Sequence, residues 1–221
     1  MDVTTITSQH PHAASSGQPQ QWLVVARPKC KDFSPAGYNL GWDGKHSHTL
    51  LACVKLIGYL QQLHRSLPPL YIVENAAMQY NFRSETIRDS VFRAICSMLG
   101  TPIMLDAAQF GAYAHRCSNF WQNFSTPGLL ATSLATVTRA PGVTVQDILD
   151  PGRTCAAVDS ADRHPFYASN IKGALRSALP TLVAYPMSRA FHADKPGAIY
   201  DTTPNATGVI GFTEPNPEER E

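Results

Sequence analysis

The stretch WLVVARPKCKDFSP, residues 22–35, decides how this 221-residue chain is read. Five apolar residues, Trp22 to Ala26, run without a polar break and then stop in a turn that carries Arg27, Pro28, Lys29 and Cys30. An unbroken apolar run of that length predicts a strand buried on both faces, as in a parallel sheet. Residues 27–46 are rich in turn formers and hold Gly37, Gly41 and Gly44. A long loop after a buried strand is more often functional than not. In open α/β sheets ligands gather at the carboxyl ends of the strands, and Cys30 sits at such an end.

Outward from that stretch the pattern alternates. Leu50, Leu51, Val54, Ile57, Leu60 and Leu63 recur at helical spacing and predict a helix over 48–64, closed by Pro68-Pro69. Leu70 to Val73 is a second strand-like run, and it ends in Glu74-Asn75. Ile87, Val91, Ile95 and Met98 predict a helix over 86–99, stopped by Gly100 and Pro102. Ile103 to Leu105 is a third short strand. Strands alternating with helices predict an α/β fold with a parallel sheet covered by helices. A thiol and a carboxylate at two strand ends, with Arg116 following in Phe110 to Trp121, point to one site at the sheet edge.

The flanks are less regular. Residues 2–7 are β-branched and suit a strand end, and 8–21 are polar and read as a surface loop. Residues 122–178 hold scattered Pro and Gly with little periodicity, which predicts a smaller irregular lobe. Leu179 to Tyr185 restores a strand-like run. No internal repeat is present.

Composition is that of an ordinary globular protein, 43% hydrophobic and 16% charged, with a net charge of +1. The charge is uneven. Residues 1–120 hold 10 Lys+Arg against 7 Asp+Glu (net +3), and 121–221 hold 8 against 10 (net −2). A basic first half is compatible with nucleic acid without demanding it. Five cysteines with no C-x-x-C pair are expected to be thiols in a reducing, intracellular compartment. No membrane span or secretory signal is expected. His46 and His48 lack a second ligand pair at zinc spacing, so no metal is expected.

Taken in order, these motifs resemble those of the cytosine-5 DNA methyltransferases, nearest to the de novo type. Asp2-Val3 resembles the short motif whose acid holds the adenine of S-adenosylmethionine. Arg27-Pro28-Lys29-Cys30 resembles the Pro-Cys motif, Glu74-Asn75-Ala76 the Glu-Asn-Val motif, and His115-Arg116 the first half of Arg-x-Arg. The resemblance implies a Rossmann-like sheet for an S-adenosylmethionine-dependent enzyme. It also implies a partial catalytic core over 1–121, a target-recognition-like region over 122–178, and a return to the core over 179–221. It assigns Cys30 as the nucleophile that adds to C6 of an extruded cytosine, with Lys29 and Lys31 favouring its thiolate. Glu74 would engage the N3/N4 edge and Arg116 the O2 oxygen, with Pro28 and Asn75 lining the substrate. S-adenosyl-L-methionine would be the cofactor, DNA the partner and the nucleus the location.

The sequence also departs from that family. Its nucleophile turn reads Gly-Pro-Pro-Cys, and here Arg27 and Lys29 replace the glycine and the second proline. Ser118 replaces the second arginine of Arg-x-Arg. No glycine-rich cofactor loop precedes Asp2, and the last motif is absent before Glu221. The expectation is therefore an incomplete sheet and cofactor pocket, with strand 22–26 left as an unprotected edge. Little activity is expected. Two other readings stay open. One is a non-catalytic partner of a full-length methyltransferase or of a second copy. The other is a cysteine-dependent hydrolase pairing Cys30 with His46, His48 or His115.

Overall fold

Leu70 and Tyr71 set the frame of the structure, because β1 (Leu23–Ala26) pairs in parallel with β2 (Leu70–Ala76) from their first residues. The register runs Leu23 to Leu70 and Ala26 to Val73, so both strands deliver their carboxyl ends to the same side of the sheet. The computed structural model describes residues 21–137, 144–155, 178–180, 198–202 and 211–213. It divides into two units, Met1–Leu105 with Cys117–Thr136, and Asp106–Arg116 with Val137–Glu221.

In the first unit the sheet order is β1-β2-β4-β3, where β3 is Ile103–Asp106 and β4 is Cys117–Gln122. The fold is mixed α/β, but the sheet is not wholly parallel. Strand β4 runs antiparallel to β2, pairing Val73 with Trp121 and Ala76 with Ser118. The parallel expectation failed because CSNFWQ reads as polar. Its Ser118 and Asn119 are buried and so look like loop residues in sequence. Asn119 is reconciled with burial by hydrogen bonds with the Gln79 side chain at 2.9 and 2.7 Å, and by donating to the Ala76 carbonyl.

Strand β1 corrects a second expectation. It is not buried on both faces, since Leu23 is 59% and Val25 68% exposed while Val24 and Ala26 pack inward. Among the described residues it is the edge of the sheet, with only β2 beside it. An apolar run alone cannot separate a central strand from an edge.

The covered face is built by two helices. Helix α1 (Ser47–Leu63) buries Leu50, Cys53, Ile57 and Leu60. A π-helical turn over Thr86–Val91 leads into α2 (Phe92–Leu99), which buries Ile95 and Leu99. Leu50, Ile57, Ile95 and Leu99 form one core with Tyr71, Val73 and Trp121. A further helix, α3 (Pro127–Ala135), follows β4, where the sequence predicted an irregular region; Thr126 caps it by accepting from the Leu129 amide at 3.2 Å.

The second unit holds a three-stranded antiparallel sheet of β5 (Arg153–Cys155), β6 (Ile199–Asp201) and β7 (Gly211–Thr213). Its small core gathers Val145, Cys155 and Leu179. Leu179 opens the run read as strand-like and bridges in parallel to Ala114; residues 181–185 of that run lie outside the described residues.

Phe33 ties the turn after β1 to the core. It is fully buried and meets Trp42 edge-on at 5.5 Å. Phe33→Ala is expected to lower stability by about 3–5 kcal/mol, the range for deleting a buried aromatic. Urea unfolding followed by circular dichroism measures this, and a loss under about 1 kcal/mol would place Phe33 outside the core.

Candidate active site

The chain after β1 turns sharply at Cys30. Its carbonyl accepts from the amides of Phe33 at 2.9 Å and Ser34 at 2.8 Å. Further on, the Tyr38 amide returns to the Lys31 carbonyl at 2.6 Å, and Gly37 packs against that same carbonyl so closely that a Cβ there would overlap it. The buried Asp32 carboxylate accepts from the His46 amide at 2.6 Å, at the start of α1. The helix N-terminus favours a negative group there. Gly44 is required beside it, because a Cβ would overlap the Asp32 carboxylate.

Side chains from the end of β2 and from the loop after it hold this turn by its carbonyls. Asn75, 1% exposed, donates to the Pro28 carbonyl at 3.1 Å. Asn81, fully buried, donates to the Phe33 carbonyl at 2.9 Å and to Asn39 Oδ1 at 2.8 Å. The Asn81 oxygen in turn accepts from the amides of Arg83 and Ser84 at 3.0 and 3.1 Å. The Arg83 guanidinium reaches the Pro35 carbonyl at 2.8 Å. Asn81 and Arg83 were not foreseen, since a lone Asn or Arg in a turn-rich segment carries no distinctive sequence signal.

Four of the anticipated residues are thus brought to one end of the sheet. Cys30 is half-buried, and Pro28 before it is buried. Glu74, whose side chain is 14% exposed, takes the Arg27 guanidinium through Nε at 3.0 Å. The β1–β2 register ends at Ala26 and Val73, so Arg27 and Glu74 are the next residue on each strand. Lys29 and Lys31 are exposed.

Arg116 lies in the second unit and is exposed. Its backbone is fixed by Asp106, which is 2% exposed and ends β3. Asp106 accepts from the Arg116 amide at 2.8 Å, from the Ala108 amide at 3.2 Å, and contacts His115 Nδ1 at 2.6 Å. Burial pushes the Asp106 carboxyl up. The His115 hydrogen bond, the Arg116 amide, the charge of His115 and the Ala108 amide together outweigh that and hold it below its ordinary range. His46 stacks on Tyr38, and His48 is exposed on α1. Among the described residues, neither of these two hydrogen-bonds Cys30. Asp2 and Val3, assigned to the cofactor, lie outside the described residues. Among the described residues no cluster of three or more metal-ligating side chains occurs, and no helix is long and apolar enough to cross a membrane.

No protein-family model matches the sequence, and no curated protein does. Among the solved structures that resemble the fold are two at low identity. One is a DNA modification methyltransferase encoded within an E. coli prophage, 17% identical over 80% of this chain and 52% of its own, with a TM-score of 0.40. The other is the S. pombe Dnmt2 methyltransferase, 15% identical over 89% of this chain and 58% of its own, with a TM-score of 0.42. This chain spans a little over half the length of either structure. At TM-scores below 0.5 neither likeness bears on what this chain does.

Two outcomes follow from the geometry. A depressed carboxyl stabilises the fold above its unfolded pKa of about 3.9 and loses that contribution as pH falls through the lower folded value. Asp106→Asn is expected to cost about 1–3 kcal/mol at pH 7, with the gap from the native chain closing as pH falls below about 3.9 and through the lower folded value. Urea titrations across that range measure it, and a gap independent of pH would exclude an ionised Asp106. Burial also pushes the Cys53 thiol up, so iodoacetamide at pH 8 should label half-buried Cys30 before Cys53 in site-resolved mass spectrometry. The reverse order would mean that the Cys30 turn is closed to solvent.

Proposed function

We propose that the site is a cytosine-5 methyl-transfer centre acting on DNA, with Cys30 as nucleophile and Arg27 restraining its activity. The observation that supports it is the clamp between two adjacent parallel strand ends: Asn75 on the Pro28 carbonyl and Arg27 on Glu74. It fixes a thiol-bearing turn beside a sheltered carboxylate, the pair that activation of a pyrimidine requires.

In this reading the Cys30 thiolate forms a bond to C6 of an extruded cytosine while the C5–C6 double bond opens toward C5. The Glu74 carboxyl donates a proton to N3, which neutralises the negative charge that the addition places on the ring. The role of Arg116, which lies in the second unit, at O2 rests on the sequence resemblance alone. Once C5 has gained its methyl group, a solvent base takes the C5 proton, the C5–C6 double bond re-forms and the Cys30 thiolate leaves. S-adenosylmethionine supplies the methyl group when bound. Its assignment to Asp2 and Val3 rests on the sequence resemblance alone.

Arg27 decides how much of this chemistry proceeds. Its guanidinium occupies Glu74 Oε2, the carboxylate that N3 must reach. The base must displace Arg27 first, and because so exposed an ion pair is worth about 0–1 kcal/mol, this slows turnover by up to about fivefold.

The test uses DNA carrying 5-fluorocytosine, both single-stranded and duplex, incubated with the 221-residue chain and S-adenosylmethionine. Fluorine cannot leave as a proton does, so the covalent adduct persists. A low yield of adduct at Cys30 is expected, absent in Cys30→Ala, raised in Arg27→Gly, and lowered in Glu74→Gln by roughly 10²–10⁴ in rate. An adduct that persists in Cys30→Ala, or none in either the native chain or Arg27→Gly, would overturn the assignment.

A further inference from the structure

The Asn39–Asn81 hydrogen bond joins two loops of the first unit, and exposed apolar side chains flank it on both sides. Tyr38 and Leu40 adjoin Asn39 and are 58% and 53% exposed. Tyr80 and Phe82 adjoin Asn81 and are 46% and 81% exposed. Single exposed apolar residues are ordinary, but four at one junction are not. The junction is rigid as well. Asn39 holds a left-handed backbone (φ 58°) and donates to the Gly37 carbonyl at 3.0 Å, while buried Asn81 makes four hydrogen bonds.

Exposed cations, Lys31, Lys45 and Arg83, lie on the same loops. The Tyr38 amide bonds the Lys31 carbonyl, Arg83 crosses to the Pro35 carbonyl, and Lys45 precedes His46. His46 lies almost parallel to Tyr38, at 13° and 6.0 Å between centroids, and the more than half-exposed Tyr38 can extend that stack to a third ring. The exposed carboxylates near these loops are Asp43 and Glu85, of which Glu85 is paired with Arg88 at 3.6 Å; Asp32 is buried. Rigid exposed rings among cations suit a polyanion whose flat faces are unpaired.

We infer that Tyr38, Leu40, Tyr80 and Phe82, with Lys31, Lys45 and Arg83, form a stacking surface for the unpaired bases of single-stranded nucleic acid next to the Cys30 turn. The inference rests on the proposed reaction only in that it names the strand state the same site would receive. An apolar protein segment would profit from the rings but not from the cations. A duplex would profit from the cations but offers no free base face to the rings.

Fluorescence anisotropy with a labelled, non-self-complementary 16-nucleotide DNA tests this on the full chain without methyl donor. The single strand is expected to bind at least about tenfold tighter than the same sequence as duplex. Phe82→Ala and Tyr38→Ala should each weaken single-strand binding roughly 5- to 150-fold, the range for one lost stacked base, with the salt dependence unchanged. Arg83→Ala should lower the slope of log affinity against log salt by about 0.7. Duplex binding that is equal or tighter, no binding of either form, or full single-strand affinity in the Phe82→Ala, Tyr38→Ala double variant would overturn it. Such a result beside a Cys30 adduct leaves the proposed reaction standing, and single-strand binding without an adduct does the reverse.

Discussion

The parallel pairing of β1 with β2 is the constraint on which the site depends. Parallel strands end at the same side of a sheet, so the turn after Ala26 and the carboxylate after Val73 must meet. An antiparallel pairing of the same two runs would send Cys30 and Glu74 to opposite ends of the sheet. Helix α1 makes the parallel arrangement reachable, since it carries the chain back along the sheet between the two strands. Its apolar stripe of Leu50, Ile57 and Leu60 is therefore part of the geometry of the site, although none of those residues lies in it.

Register alone would leave the turn free to move, and the amides of Asn75 and Asn81 remove that freedom. Each is almost fully buried and each donates to a carbonyl of the turn. Buried amides bind main chain without adding charge, and they are destabilising if left unpaired, so the packed state favours one geometry. Asp32 adds a second anchor, joining the turn to the start of α1, and Phe33 inserts a third into the core. Three kinds of interaction, amide to carbonyl, carboxylate to helix end, and ring to core, converge on eight residues of chain.

Much of this was legible because strong periodicity survives translation into structure. The helix read over 48–64 is Ser47–Leu63, and the three strands at Leu23, Leu70 and Ile103 stand where the apolar runs end in turns. Strand β4 was not legible, because its buried Ser118 and Asn119 are satisfied by partners about 40 residues away. The half-exposed character of β1 was hidden for a related reason, since neighbours in the sheet and not the strand's own composition decide which face is covered. At the site, Cys30 and Glu74 could be singled out as a thiol and a carboxylate at strand ends. Asn81 and the Asp106–His115 pair emerge only from contacts that no local pattern announces.

The ion pair of Arg27 with Glu74 shows how weak a restraint can still set the behaviour of a site. Arg27 is 63% exposed, and an ion pair so open to water stabilises the fold by about 0–1 kcal/mol. Releasing Arg27 returns its guanidinium to solvent, which repays most of what the contact gave. The exocyclic N4 amino group of the base, in a sheltered position, donates a charge-assisted hydrogen bond to the same carboxylate, about 1.5–3 kcal/mol. The substrate therefore wins the exchange, but only after a step that a glycine at position 27 would not impose. The arginine thus acts on the rate at which the carboxylate becomes available and barely on the stability of the protein, which is why its removal should be visible in chemistry and nearly silent in unfolding.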